Sequence, residues 1–127
     1  MKNYLADSNI FVRIFVGDNH EQKEQALDYL NQAKNGKIKI TVLSEIIPEV
    51  EYVLRKVYKI NKKIIVGYLQ GLVKDKFISV EKRDLWIDSL DIYFKNNVDL
   101  IDAYLYANKL KKNINIISFD KDFKKIK

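Results

Sequence analysis

Short apolar runs alternating with amphipathic segments of helical length predict an α/β fold with a central, mainly parallel β-sheet. Three observations carry this. Strand-like runs recur along the chain with helix-length patterns between them. The first and the last of these runs each end at an aspartate, Asp7 and Asp120. The 127 residues, 47% hydrophobic and 31% charged with four Gly and one Pro, have the composition of one compact domain over 1–127.

Taken in order, Tyr4-Leu5-Ala6 reads as a buried strand, and Asp7-Ser8-Asn9 as the turn or cap that follows it. From Glu21 to Lys34, Ala26, Leu27, Leu30 and Ala33 recur at helical spacing, and Asn35-Gly36 stops the helix before a strand at Lys37 to Thr41. Leu43 to Tyr58 is a helix with Val50, Val53, Leu54 and Val57 as its apolar face; Pro48 either starts it or bends it. Asn61 caps the next helix, which carries Ile64, Ile65, Tyr68, Leu69 and Leu72, and Phe77 to Val80 is a short strand. In the helix from Lys82 to Lys95, the stripe of Trp86, Leu90, Tyr93 and Phe94 is packing rather than a stacking site for bases. Asp99 to Leu110 is a helix facing the core with Ala103, Tyr106, Ala107 and Leu110, and Ile114 to Phe119 is a strand closing at Asp120. A basic tail, loosely docked, ends the chain at about 124–127.

Composition removes most catalytic chemistries. Without cysteine there is no disulfide, thiolate nucleophile or cysteine zinc site, and His20 alone makes neither a histidine metal cage nor a serine triad. Carboxylate chemistry remains. The 23 Lys and Arg against 17 Asp and Glu leave +6, a balance that favours a polyanion such as nucleic acid. No run approaches the roughly 20 apolar residues of a membrane span, and no leader pattern opens the chain, so a cytoplasmic location is expected and no membrane partner.

Ligands of open parallel sheets sit beyond the carboxyl ends of the strands, where Asp7 and Asp120 fall in this reading. Asp102 opens the helix before the last strand, and Ala103 beside it permits close packing. Three carboxylates brought together repel unless a cation offsets them, and such hard oxygen ligands suit Mg²⁺ or Mn²⁺. An ion held this way can polarise a phosphodiester and activate water for hydrolysis. The structural reading of the same residues is capping: Asp7 with Ser8, Asp99 with Asp102, and Asp120 with Asp122 in a polar turn.

The residues that carry this pattern also carry a family resemblance. Leu5-Ala6-Asp7-Ser8-Asn9-Ile10-Phe11-Val12-Arg13 resembles the opening of PIN-domain proteins. Glu49-Val50-Glu51-Tyr52-Val53-Leu54 is similar to the family's glutamate helix, Val98 to Ala103 to its third acidic motif, and Ser118 to Phe123 to its closing strand and loop. The motifs run in the family's order from Asn3 to Phe123. The resemblance implies a three-layer α/β/α PIN-like fold and, for a domain of this length, a toxin of the VapC type. Such a toxin is an Mg²⁺-dependent endoribonuclease paired with a cognate antitoxin protein, and a homodimer is expected. It implies an acidic quartet of Asp7, Glu49, Asp102 and Asp120 as metal ligands and catalytic groups, with Ser8, Asn9 and Ser118 in support.

Some assignments stay open. Glu45 shares a helix face with Glu49, and Pro48 departs from the small apolar residue expected before the glutamate; Glu49 is preferred for its distance to Tyr52 and Leu54. Glu51 is read as a solvated charge, Asp99 mainly as a cap, and Asp122 as a loop residue. Arg55, Lys56, Lys59, Lys62 and Lys63 form one basic cluster, and Lys109, Lys111, Lys112, Lys121, Lys124 and Lys125 another; either can track RNA phosphates or simply solvate a surface. Arg13 is a phosphate or antitoxin contact or, equally, half of a surface ion pair. Two rivals stand beside the nuclease. A non-catalytic basic module would bind RNA or protein without metal, and a phosphoaspartyl receiver or phosphatase lacks a clear seat for its nucleophile.

Overall fold

The structure is a computed structural model and describes residues 1–126. Three parallel strands, β1 (Lys2–Leu5), β2 (Ile38–Val42) and β3 (Ser79–Val80), form one sheet in the order β1-β2-β3 with helices on both sides. Tyr4 pairs with Ile40 and Leu5 with Thr41, while Thr41 and Val42 pair with Ser79 and Val80. Six α-helices complete the architecture: α1 (Ser8–Val16), α2 (His20–Lys34), α3 (Ile46–Lys56), α4 (Lys62–Val73), α5 (Arg83–Lys95) and α6 (Leu100–Lys112). The expected α/β/α class with a parallel sheet is what forms.

Local chemistry explains the boundaries. Gly17 ends α1 at φ +70°, where a Cβ would be strained, and its N–H bonds to the Arg13 carbonyl. Asn19 and Asn61 cap α2 and α4 by accepting from the Gln22 and Ile64 N–H groups, each at 3.0 Å. α3 begins at Ile46, so Pro48 lies in its first turn, where a missing backbone donor costs little, and the reading in which the helix starts near Pro48 is the one that forms.

The core is built where the sheet meets α1, α3, α4 and α5: Phe11, Val12, Val42, Ile47, Leu54, Leu69, Trp86 and Leu90 are buried. Trp86 stacks on Tyr104 at 4.0 Å between ring centroids and donates from Nε1 to Ser44 Oγ at 2.8 Å, which ties α5 to α6 and to the end of β2. The aromatic stripe on α5 is packing as expected for Trp86, Leu90 and Tyr93, but Phe94 faces solvent. On α3 the buried set is Ile47, Val50, Glu51 and Leu54, so the core-facing phase takes in Glu51 and leaves Val57 exposed.

Two elements depart from the expectation: β1, read as a buried strand, is an edge strand whose four residues are exposed, and the last strand is absent. Ile114 to Phe119 makes no strand: its backbone joins no ladder, the Ile114 N–H bonds back to Lys109, and Ile117 and Phe119 are fully exposed. Alternating apolar residues favour a strand only where a neighbouring strand supplies hydrogen bonds, and none pairs with this segment. Beyond it, Lys121–Lys125 forms a 3-10 turn and Ile126 is buried, so the chain's end is pinned to the core rather than loose; Lys127 lies outside the described residues.

Leu54 has no exposed surface and lies on the helix that carries Glu49 and Glu51. Leu54→Ala is expected to cost about 2–5 kcal/mol in urea unfolding; a loss under about 1 kcal/mol would show that α3 is not anchored through this side chain.

Candidate metal centre

The first turn of α6 and the C-terminal 3-10 turn bring acidic side chains together. Asp102, Asp120 and Asp122 each offer a carboxylate oxygen, and these oxygens lie within 4.8 Å of one another. Among the described residues this is the one such group of three. Local bonds shape it: the Asp120 N–H bonds to Ser118 Oγ at 2.9 Å, and Asp120 Oδ1 accepts from the Asp122 N–H at 2.9 Å. Asp120 therefore caps the turn with one oxygen, so the capping and the ligand readings hold together.

The electrostatics follow from this crowding. Burial, then the charges of Asp120, Asp99 and Asp122, push the Asp102 carboxyl above its ordinary range. Lys125 Nζ, 3.0 Å from Asp122 Oδ1, offsets part of the charge. The donor set fits a hard divalent cation: acceptor-only oxygens, closely spaced, on a partly desolvated carboxyl that an added positive charge would relieve. A groove of about 400 Å³ opens beside it, lined by Lys109, Ser118, Asp120 and Lys124 among others, so the acidic rim borders cationic surface.

Of the predicted quartet, the structure brings Asp102 and Asp120 together with Asp122. Asp7 and Glu49 stand outside this group. Asp7 sits just beyond β1 as the cap of α1 and is exposed; its Oδ1 accepts from the Ser8 N–H at 2.8 Å. Ser8 is buried, and Asn9 is exposed on the same helix. Glu49 and Glu45 are both exposed at the start of α3. Asp99 occupies the cap position of α6 without a capping bond from its side chain.

Two residues differ from their sequence reading. Asp122, expected to be a loop residue, contributes an oxygen to the cluster because the tight turn folds it back beside Asp120. Glu51, expected to be solvated, is only 5% exposed at its side chain and accepts from Arg55 Nε at 2.7 Å and from Tyr93 Oη at 2.8 Å. Its spacing from Ile47, Val50 and Leu54 places it in the core-facing phase, a signal the sequence did contain. Burial and the bond to Glu51 push the Tyr93 phenol upward, and the bond to Glu51 raises Arg55. Burial lowers Lys62, whose Nζ donates to the Asn96 carbonyl at 2.7 Å. Arg13 is committed to structure, bonding to Gln22, Asp18 and Tyr58, which matches the ion-pair reading.

Two stability tests follow from this geometry. Glu51→Ala leaves the Tyr93 hydroxyl without its buried acceptor and is expected to cost about 1–3 kcal/mol, against roughly ±0.5 for exposed Glu49→Ala; equal losses in urea unfolding would contradict the assignment of Glu51 to the core. The folded protein holds the Asp102 proton more tightly than the unfolded chain, so ionisation with rising pH subtracts stability. In chelator at pH 7, Asp102→Asn is expected to raise the melting temperature by on the order of a few degrees, a gain that vanishes below about pH 4. A lower melting temperature at pH 7 would show that the carboxylate is stabilising as it stands.

Comparison with known proteins agrees with this architecture. Searches of curated proteins and of solved structures gave no significant match. The family model described as PIN domain matches residues 4–127. The match takes in the sheet, all six helices and the acidic turn, and PIN domains are in general nucleases that usually use a divalent metal. This chain belongs to the PIN domain family.

Proposed function

We propose that this protein is an Mg²⁺- or Mn²⁺-dependent endoribonuclease that acts in the cytoplasm as the toxin of a type II toxin–antitoxin pair, with a cognate antitoxin and a homodimeric state. The observation that carries the nuclease reading is the convergence of Asp102, Asp120 and Asp122 oxygens within 4.8 Å in a chain of the PIN family. Asp102 and Asp120 are its metal ligands, and Asp122 extends the set. Asp7 and Glu49 complete the acidic quartet in this reading, as residues of the carboxyl end of β1 and the start of α3. Ser118 supports Asp120 directly by accepting its N–H, and Ser8 and Asn9 flank Asp7.

A divalent ion held here supplies Lewis-acid polarisation of a phosphodiester and lowers the pKa of water. The chain's residues set the rest. The group contains no histidine, so in this reading the proton of the attacking water passes to a carboxylate. Lys109 and Lys124, which line the adjoining groove with Asp120, draw the phosphate backbone toward the acids. Among the described residues no helix is long and apolar enough to cross a membrane.

The test is cleavage of a broad transcript panel with Mg²⁺ or Mn²⁺. Wild type should cut RNA, chelator should abolish cutting, and Asp102→Asn and Asp7→Asn should each lose about 100-fold or more while remaining folded. Equal RNA binding with and without metal, and no cleavage under any condition, would favour a non-catalytic basic module. Growth arrest on expression, relieved by a co-expressed antitoxin, tests the toxin role; harmless expression of an active enzyme would assign it to another RNA-processing task.

A further inference from the structure

On α3, the buried and exposed faces have separate business. The buried face carries Glu51, clamped between Tyr93 and Arg55. The exposed face carries Tyr52, whose side chain is more than half accessible, at 54%. Three residues further on, the Arg55 guanidinium carbon lies 5.8 Å from the Tyr52 ring centroid. Arg55 is itself fixed: Nε and Nη2 reach the two Glu51 oxygens at 2.7 and 3.4 Å, while Nη1 makes no hydrogen bond among the described residues. A half-exposed arginine held by a buried carboxylate presents its remaining donors in one place, with little rotamer freedom left to lose on binding.

The surroundings favour a polyanion. The helical neighbours of Tyr52 at three and four residues are Pro48, Glu49, Arg55 and Lys56, so the ring is framed by charge and not by a contiguous apolar patch. Lys59 and Lys63 extend the positive surface through the turn into α4. An exposed aromatic face beside pre-oriented guanidinium is the arrangement that binds a base and its phosphate in a single strand.

We propose that Tyr52 and Arg55 form a nucleotide subsite on α3, with the Tyr52 ring stacked on a base of single-stranded RNA and Arg55 holding a neighbouring phosphate. The subsite deepens the nuclease reading and rests on it for the identity of the strand. Glu51 and Tyr93 are then positioning residues, since they touch Arg55 or its anchor and not the RNA.

The test uses a fluorescently labelled, 2′-O-methylated and therefore uncleavable oligoribonucleotide, with anisotropy read in chelator, so that binding is separated from catalysis. Tyr52→Ala should weaken binding about tenfold with an unchanged salt slope, and Tyr52→Phe should retain affinity. Arg55→Gln should reduce the slope of log affinity against log salt by about 0.7, the signature of one lost phosphate contact on a single strand. An abasic substitution at the stacked position should weaken wild type and leave Tyr52→Ala unmoved. Melting curves show that each variant is folded. Wild-type affinity in a folded Tyr52→Ala, or no oligonucleotide binding by wild type, would overturn the subsite and leave this face to a protein partner. Cleavage of transcripts by that same Tyr52→Ala protein would show that the nuclease reading survives the loss.

Discussion

Three carboxylates held close together are the constraint on which the candidate metal centre depends. Asp102 comes from the first turn of α6, and Asp120 and Asp122 come from a turn that the chain reaches only after an exposed stretch with no ladder partner. Burial of Asp102, and after it the charges of its acidic neighbours, work against its ionisation in the folded chain. Structure elsewhere must hold them in place. Ser118 Oγ and Asp120 Oδ1 accept from the Asp120 and Asp122 N–H groups and shape the turn, the burial of Ile126 anchors its far side, and Lys125 neutralises part of the charge. Stability given up at a functional cluster and recovered in packing is the general expectation for active sites.

The recovery is visible in the helices behind the cluster. Trp86 joins α5, α6 and the end of β2, and the Glu51–Tyr93 bond fastens α3 to α5 from inside the core. A buried glutamate adds little net stability, because its desolvation offsets most of what Arg55 returns. Its value lies in orientation: it fixes an arginine at the surface of a helix whose other exposed residues include Glu49 and Tyr52. The overall +6 charge acts at longer range and offsets the local field of the acids.

Much of this was legible in the residues. Asn61, Asn35-Gly36 and the apolar spacings of α2, α4, α5 and α6 are local signals, and local signals decide helices. The structure groups Asp102 with Asp120, but the strand-end argument for Asp120 does not hold, because the run before it joins no sheet; the helix-start position of Asp102 does. The misread residues share a cause. Ile114 to Phe119 alternates like a strand, but a strand exists only when another strand accepts it, which is tertiary information. The charge of Glu51 suggests solvent although its position in the Ile47, Val50, Leu54 phase turns it inward, and Asp122 reads as a loop residue because a 3-10 turn folding back on Asp120 leaves no periodic trace.

The most direct measurement is anomalous diffraction from crystals of the wild-type protein soaked in Mn²⁺. The account predicts an anomalous peak within coordinating distance of Asp102 and Asp120, with Asp122 beside it and with an identical soak of Asp102→Asn showing none. A well-ordered cluster with no peak in wild type, or a peak at some other set of carboxylates, would contradict the claim that these acids are gathered to hold a divalent ion.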